Sequence, residues 1–271
     1  MKLIDFDGMF DEKLTVYMEE NKNKYTERQW EDIIPKLYKK FGDTFVAKIK
    51  CTPKEYYAKM SDKELSETLS EHLKQDIPTP EFLCTEIENR GAVETLAPML
   101  YLGGESAVYA FNLIGDDERA YEVYFELLKN GDTDEDLKSD IADLFKMHAD
   151  DMKDKALQAY KQGENKEAML EILSRVKVKT DEVYDILLKE FLTYENIPMR
   201  ASYLAAYGDE RALPKLLKKI EDRSIGFVEF QELKYAIEAL GGEYDEPRDF
   251  SGDKDYLAVE TASSRSPFPE N

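Results

Sequence analysis

Along most of the chain apolar residues return every three or four positions, the spacing of one face of an α-helix. Sustained period-two alternation occurs only briefly, in TFVAKIK at residues 44–50. The pattern predicts an all-α fold. Helix boundaries are marked by local chemistry. Thr26 followed by Gln29, and Ser61 followed by Glu64, place a hydroxyl and a carboxamide or carboxylate where each satisfies an orphan amide of the other, which makes two capping boxes. Thr52-Pro53 and Thr79-Pro80 put a hydroxyl before a proline whose fixed φ and missing N–H suit a first helical turn, so both pairs are expected to open helices. Gly91, Gly103, Gly104, Gly163, Gly241 and Gly242 follow periodic segments and are expected to end them. The implied helices are short, of roughly 10 to 16 residues.

Three glycine-marked turns repeat one another: IGDDERAYEVYFELLKNGD, QGENKEAMLEILSRV and YGDERALPKLLKKIED. Counting from Ala120, Ala168 and Ala212, apolar or aromatic residues fall at offsets of one, four, five and eight in every copy. These are Tyr121, Tyr124, Phe125 and Leu128, then Met169, Ile172, Leu173 and Val176, then Leu213, Leu216, Leu217 and Ile220, one helical stripe per copy. Gly115, Gly163 and Gly208 lie 48 and 45 residues apart, and an apolar helix precedes each (AVYAFNLI, ALQAY, ASYLAAY). A helix, a glycine turn and a second helix cannot bury such a stripe alone, so neighbouring pairs are expected to share a core.

The turn GDERALPKLLKKIEDRS with the helix VEFQELKYAIEALGGE resembles HEAT repeats, in particular the HEAT-like type found in phycobilisome-linker lyases. The resemblance covers about residues 200–242. It extends to residues 105–175, where Glu167 stands in place of Arg119 and Arg211 and the proline matching Pro214 is missing. It implies a right-handed α-α superhelix of short antiparallel helix pairs. It also implies a structural role for the turn residues Gly115, Asp117, Arg119, Gly163, Gly208, Asp209 and Arg211, the aspartates and arginines bridging adjacent repeats. Lyase chemistry does not carry over, because such repeats are a scaffold shared by many functions. The expected organisation is a polar leader at 1–10, a less regular helical region at 11–78, repeats at 79–242 continuous with it, and an acidic, then Ser/Pro-rich flexible tail at 243–271.

Charge narrows the partners. Fifty-eight acidic against 37 basic residues give a net charge of −21, which argues against nucleic acid and anionic membrane faces as partners. Two cysteines, Cys51 and Cys84, suggest neither a disulfide framework nor a zinc site, and there is neither an export signal nor an 18-residue apolar run. A cytoplasmic protein without cofactor is expected.

Candidate chemistry is sparse. LIDFDG at residues 3–8 imitates the start of a haloacid-dehalogenase phosphatase, with Asp5 as nucleophile, but no downstream strands supply the parallel sheet that chemistry needs, so the stretch reads as a solvated, helix-capping leader. The acids of DTDEDLKSDIAD and DFSGDKDYLAVE have partial EF-hand spacing, yet Leu137 and Lys254 occupy the glycine positions, and a charged helix start accounts for the first. His72 and His148 lack a ligand or catalytic spacing, and Cys84 sits between apolar neighbours as a small hydrophobe. Tyrosines cluster in the repeats, at Tyr101, Tyr109, Tyr121, Tyr124, Tyr194, Tyr203, Tyr207 and Tyr235. A concave face carrying Tyr121, Tyr124, Tyr203, Tyr207 and Tyr235 among acids suits a basic, arginine-containing peptide. The sequence therefore points to a non-catalytic scaffold for a protein or peptide partner, with homodimerisation through an end repeat open. The alternative is an enzyme accessory or small-ligand binder with a pocket between the N-terminal helices and the repeats. A DNA-binding helical-repeat protein, such as the alkyl-purine glycosylases, would need a basic face that these helices do not offer.

Overall fold

The computed structural model describes residues 3–91, 93–193 and 196–264. Tyr194 and the end of the Ser/Pro-rich tail, from residue 265, lie outside them. The described residues form α1 (Phe6–Asn21), α2 (Glu27–Gly42), α3 (Pro53–Ala58), α4 (Asp62–Lys74), α5 (Glu81–Arg90), α6 (Val93–Leu100), α7 (Gly104–Ile114), α8 (Tyr121–Lys129), α9 (Glu135–Met147), α10 (Ala149–Gln162), α11 (Lys166–Ser174), α12 (Asp181–Thr193), α13 (Ile197–Tyr207), α14 (Leu213–Ile220), α15 (Phe227–Ala239) and α16 (Lys254–Ser264). The fold is all-α, with no strand among the described residues. TFVAKIK closes as a tight turn on a single antiparallel bridge between Val46 and Cys51. Among the described residues no helix is long and apolar enough to cross a membrane.

Most local signals act as the sequence indicates, but Gly103 and Gly104, expected to end a helix, instead cap and open α7, three residues after α6 has ended at Leu100. Thr26 with Gln29, Thr52 with Glu55 and Ser61 with Glu64 each form a complete capping box. Thr79-Pro80 differs in detail: Pro80 itself is the cap of α5, and no side chain caps that helix. Gly115, Gly163 and Gly208 close α7, α10 and α13 with φ of 61°, 83° and 71°.

Two compact units emerge from the packing, Met1–Leu127 with Asp132–Lys138, and Leu128–Gly131 with Ser139–Asn271. In the N-terminal unit Phe6, Tyr57, Leu65, Leu83 and Ile87 are almost completely buried. α5 packs on both α3 and α4 there, so the packing does not break at residue 79, where the repeats were expected to begin. In the C-terminal unit α10 packs on α11, α12 on α13, and α13 on α15, around Met169, Leu173, Leu204 and Leu233.

Both chain ends correct the sequence reading. Of the expected leader, residues 3–10 are described, and they are not a solvated segment. Asp5 does cap α1, accepting the Gly8 N–H at 2.7 Å, but Phe6 and Phe10 are buried, and Phe6 packs edge-on against Tyr56 and Tyr57 at 5.6 Å. Aromatic burial of that size ties the segment down. The tail is likewise structured as far as residue 264. Phe227 packs on Phe250 and Tyr256, and Arg248 donates to the carbonyls of Ile220 and Asp222 at the end of α14. Asp253 accepts the Phe227 N–H at the start of α15, 3.0 Å away.

Candidate binding cleft

An open cleft of about 1270 Å³ lies within the N-terminal unit, between α1, α2, α3, α5 and α7. Helical spacing builds each wall. Asp7, Phe10 and Asp11 share one face of α1, Ile34, Pro35, Tyr38 and Lys39 one face of α2, and Glu81, Phe82, Thr85, Glu86 and Asn89 one face of α5. The aromatic centre is tightly arranged. Tyr38 lies flat on Phe82, with ring centroids 4.6 Å apart and planes 7° from parallel, and Phe10 meets Tyr38 edge-on at 5.0 Å. Gly42 allows this. A Cβ there would lie 2.5 Å from the Phe82 ring, so only a residue without one lets the ring rest on the end of α2.

The Tyr38 hydroxyl donates to Asp7 at 2.5 Å. Burial first, and the Asp7 carboxylate second, push the phenol far above its ordinary value, so it stays a neutral donor. Cys84 also faces the cleft. Burial and then Glu88 raise its thiol to about 11, which keeps it protonated and a poor nucleophile. No histidine lines the cleft. His72, fully buried in α4, and His148, half-buried before α10, belong to different units.

Of the five tyrosines expected on a concave face, three are in the core, which corrects that expectation. Tyr124 and Tyr207 are completely buried and Tyr203 is 8% exposed. Each hydroxyl has a partner that lets the ring sit inside: Gly115 O for Tyr124 at 3.1 Å, Thr180 for Tyr207, and Glu171 for Tyr203 at 3.4 Å. Tyr121 is half-buried and donates to Asp116, and Tyr235 is exposed on α15. Tyr121 and Tyr124 belong to the N-terminal unit and the other three to the C-terminal unit, so the five are not gathered in one unit.

The turn residues tie elements together. In the first and third copies the aspartate accepts from the arginine two positions on, Asp117 from Arg119 and Asp209 from Arg211, around a single 3₁₀ turn. The guanidinium holds each carboxyl below its ordinary value. Each arginine then reaches back along the chain, Arg119 to Gly91 O at 3.0 Å and Arg211 to Asp181 at 2.7 Å. In the middle copy Asn165 takes this part, donating to Leu128 O at 2.8 Å. Glu167, the residue that departs from the pattern, instead pairs with Arg200 of α13, which is 2% exposed. The first acidic run is a helix start: Asp134 accepts the N–H groups of Asp136 and Leu137, and no group of three or more potential metal ligands exists among the described residues.

Comparison of the chain with family models, with curated proteins and with solved structures gives no match. The alternative sequence reading placed a pocket between the N-terminal helices and the region from residue 79, where this cleft lies, but none of the residues that line it stood among the candidate site residues. Its signal lay in the α1 and α2 stripes, Asp7/Phe10/Asp11 and Ile34/Tyr38, whose apolar members read as ordinary core positions.

Proposed function

We propose that this chain is a non-catalytic binding protein that holds a segment of a protein partner in the cleft of its N-terminal unit. The size and lining of the cleft carry this reading. Pockets for small ligands enclose roughly 300–1000 Å³, whereas this open cleft of about 1270 Å³ has an aromatic centre and walls from five helices, dimensions that suit a peptide segment. The chemistry of its walls agrees, since the thiol is held protonated and the half-buried phenol serves as a fixed donor. Within each unit the helix pairs stack in the manner of a right-handed HEAT-like superhelix. The recurrent side-chain bridges support this, spanning 28, 37 and 30 residues back from the three turns.

A photo-crosslinking amino acid placed at exposed Thr85, on the cleft wall, tests the binding reading in cells that express the chain. It should give a discrete protein adduct that the same group at Asp140 of α9 does not, and Ala58→Trp, which fills the cleft from an exposed position, should abolish it. Identical adducts from both positions, or none from Thr85, would overturn the proposal. Retention of a small molecule by the wild type and not by Ala58→Trp would favour the ligand-binding alternative.

A further inference from the structure

We infer that the segment held in the cleft is basic, presenting an arginine or lysine beside an apolar side chain; this rests on the reading of the cleft as a peptide site. The argument starts from the charged groups that line it. Glu55 is engaged in capping α3, accepting the Thr52 N–H at 3.0 Å. Glu86 is paired with Arg90 at 2.7 Å and Lys54 with Asp43 at 2.8 Å. Asp7 takes the Tyr38 hydroxyl on one oxygen and keeps the other. Asp11, Glu81 and Lys39 make no ion pair among the described residues, and all three are exposed. The groups available to a ligand are therefore two whole carboxylates, Asp11 and Glu81, and the second oxygens of Asp7 and Glu55, against one ammonium.

Carboxylates beside an aromatic centre match a cationic head on an apolar stem: the head is held by charge and hydrogen bonds, and the stem or its neighbour lies against the rings. The net charge of −21 steers basic partners toward the protein and makes a second copy of the same chain a poor occupant.

The test pans a random 12-residue peptide library (roughly the span of a cleft-sized segment) on the full chain. Binders that also hold to Ala58→Trp are discarded, and the rest are measured by fluorescence anisotropy. Lysine and arginine should be enriched next to aromatic or aliphatic residues. The double variant Asp11→Asn, Glu81→Gln should weaken such peptides about tenfold, as should raising salt from about 0.05 to about 0.5 M. Replacing arginine by citrulline, which keeps the shape and removes the charge, should have the same effect. Cleft-dependent peptides that are neutral, or that ignore the double variant, would overturn the basic preference while leaving the peptide site standing. No cleft-dependent peptide at all, together with no adduct from Thr85, would overturn both.

Discussion

Tyr207→Phe removes one oxygen and changes nothing else, and the structure says what that oxygen holds. The hydroxyl accepts the Thr180 N–H at 2.8 Å and donates to the Thr180 carbonyl at 3.1 Å, so it pairs both backbone groups of one residue just before α12. Thr180 also caps that helix, its Oγ1 accepting from Val183 N–H at 3.4 Å. Tyr207 has no exposed surface, so the phenylalanine ring will stay in place and water cannot easily replace the oxygen. Two neutral hydrogen bonds contribute about 1 kcal/mol each, and an orphaned buried group costs about 1–3 kcal/mol. Because Thr180 is only half-buried, its carbonyl recovers part of this, and a loss of about 2 kcal/mol is expected. For a unit of this size that lowers the melting temperature by roughly 4–8 °C. Tyr203→Phe is the internal control, since its hydroxyl reaches only the partly exposed Glu171 at 3.4 Å, and it should cost less than about 0.5 kcal/mol. Urea unfolding followed at 222 nm gives the magnitude, and amide hydrogen exchange at Thr180 and the first turn of α12 gives the location. If Tyr207→Phe costs no more than Tyr203→Phe, and Thr180 stays protected, the hydroxyl does not hold this junction and the argument fails.

Two further outcomes follow from the titrating groups. Asp117, Asp209, Asp249 and Asp253 all sit below their ordinary values through hydrogen bonds, joined by a charge partner at all but Asp249, so each stabilises the fold fully above the unfolded value of about 3.9 and progressively less as pH falls through its folded value. Melting temperature should therefore be flat with respect to these groups from about pH 7 to 5 and fall below about pH 4; Asp209→Asn should differ from wild type at neutral pH and converge with it in acid, and a gap that stays constant with pH would refute the assignment. Cys84, with its thiol raised to about 11, should alkylate slowly, its thiolate fraction at pH 8 being about a hundredfold below that of an unperturbed thiol. Iodoacetamide labelling of the native chain, followed by mass spectrometry across pH, checks this, and labelling at pH 8 at the rate of a free model thiol would contradict it.

What could be read from the sequence alone was whatever is decided within one or two helical turns. The capping boxes at Thr26 and Ser61 link residues three apart, the turn glycines act through their own φ, and the stripes after Ala120, Ala168 and Ala212 follow from a period of 3.6 residues. These fix an all-α chain and three related turns. Periodicity says that a face is apolar but not what covers it, so Tyr203 and Tyr207 passed for a binding surface until α11 and the Thr180 backbone were seen against them. The ends misled for the same reason: Phe6 and Phe250 lie in polar stretches, and only contacts with Tyr57 and Phe230, outside those stretches, bury the first and half-bury the second. The cleft is the clearest case. Asp7, Tyr38 and Phe82 are separated by 31 and 44 residues, and no local preference of α1, α2 or α5 specifies that they meet. Their meeting is set by the packing of whole helices, whose energy comes from burying non-directional apolar surface, and that choice belongs to the tertiary structure.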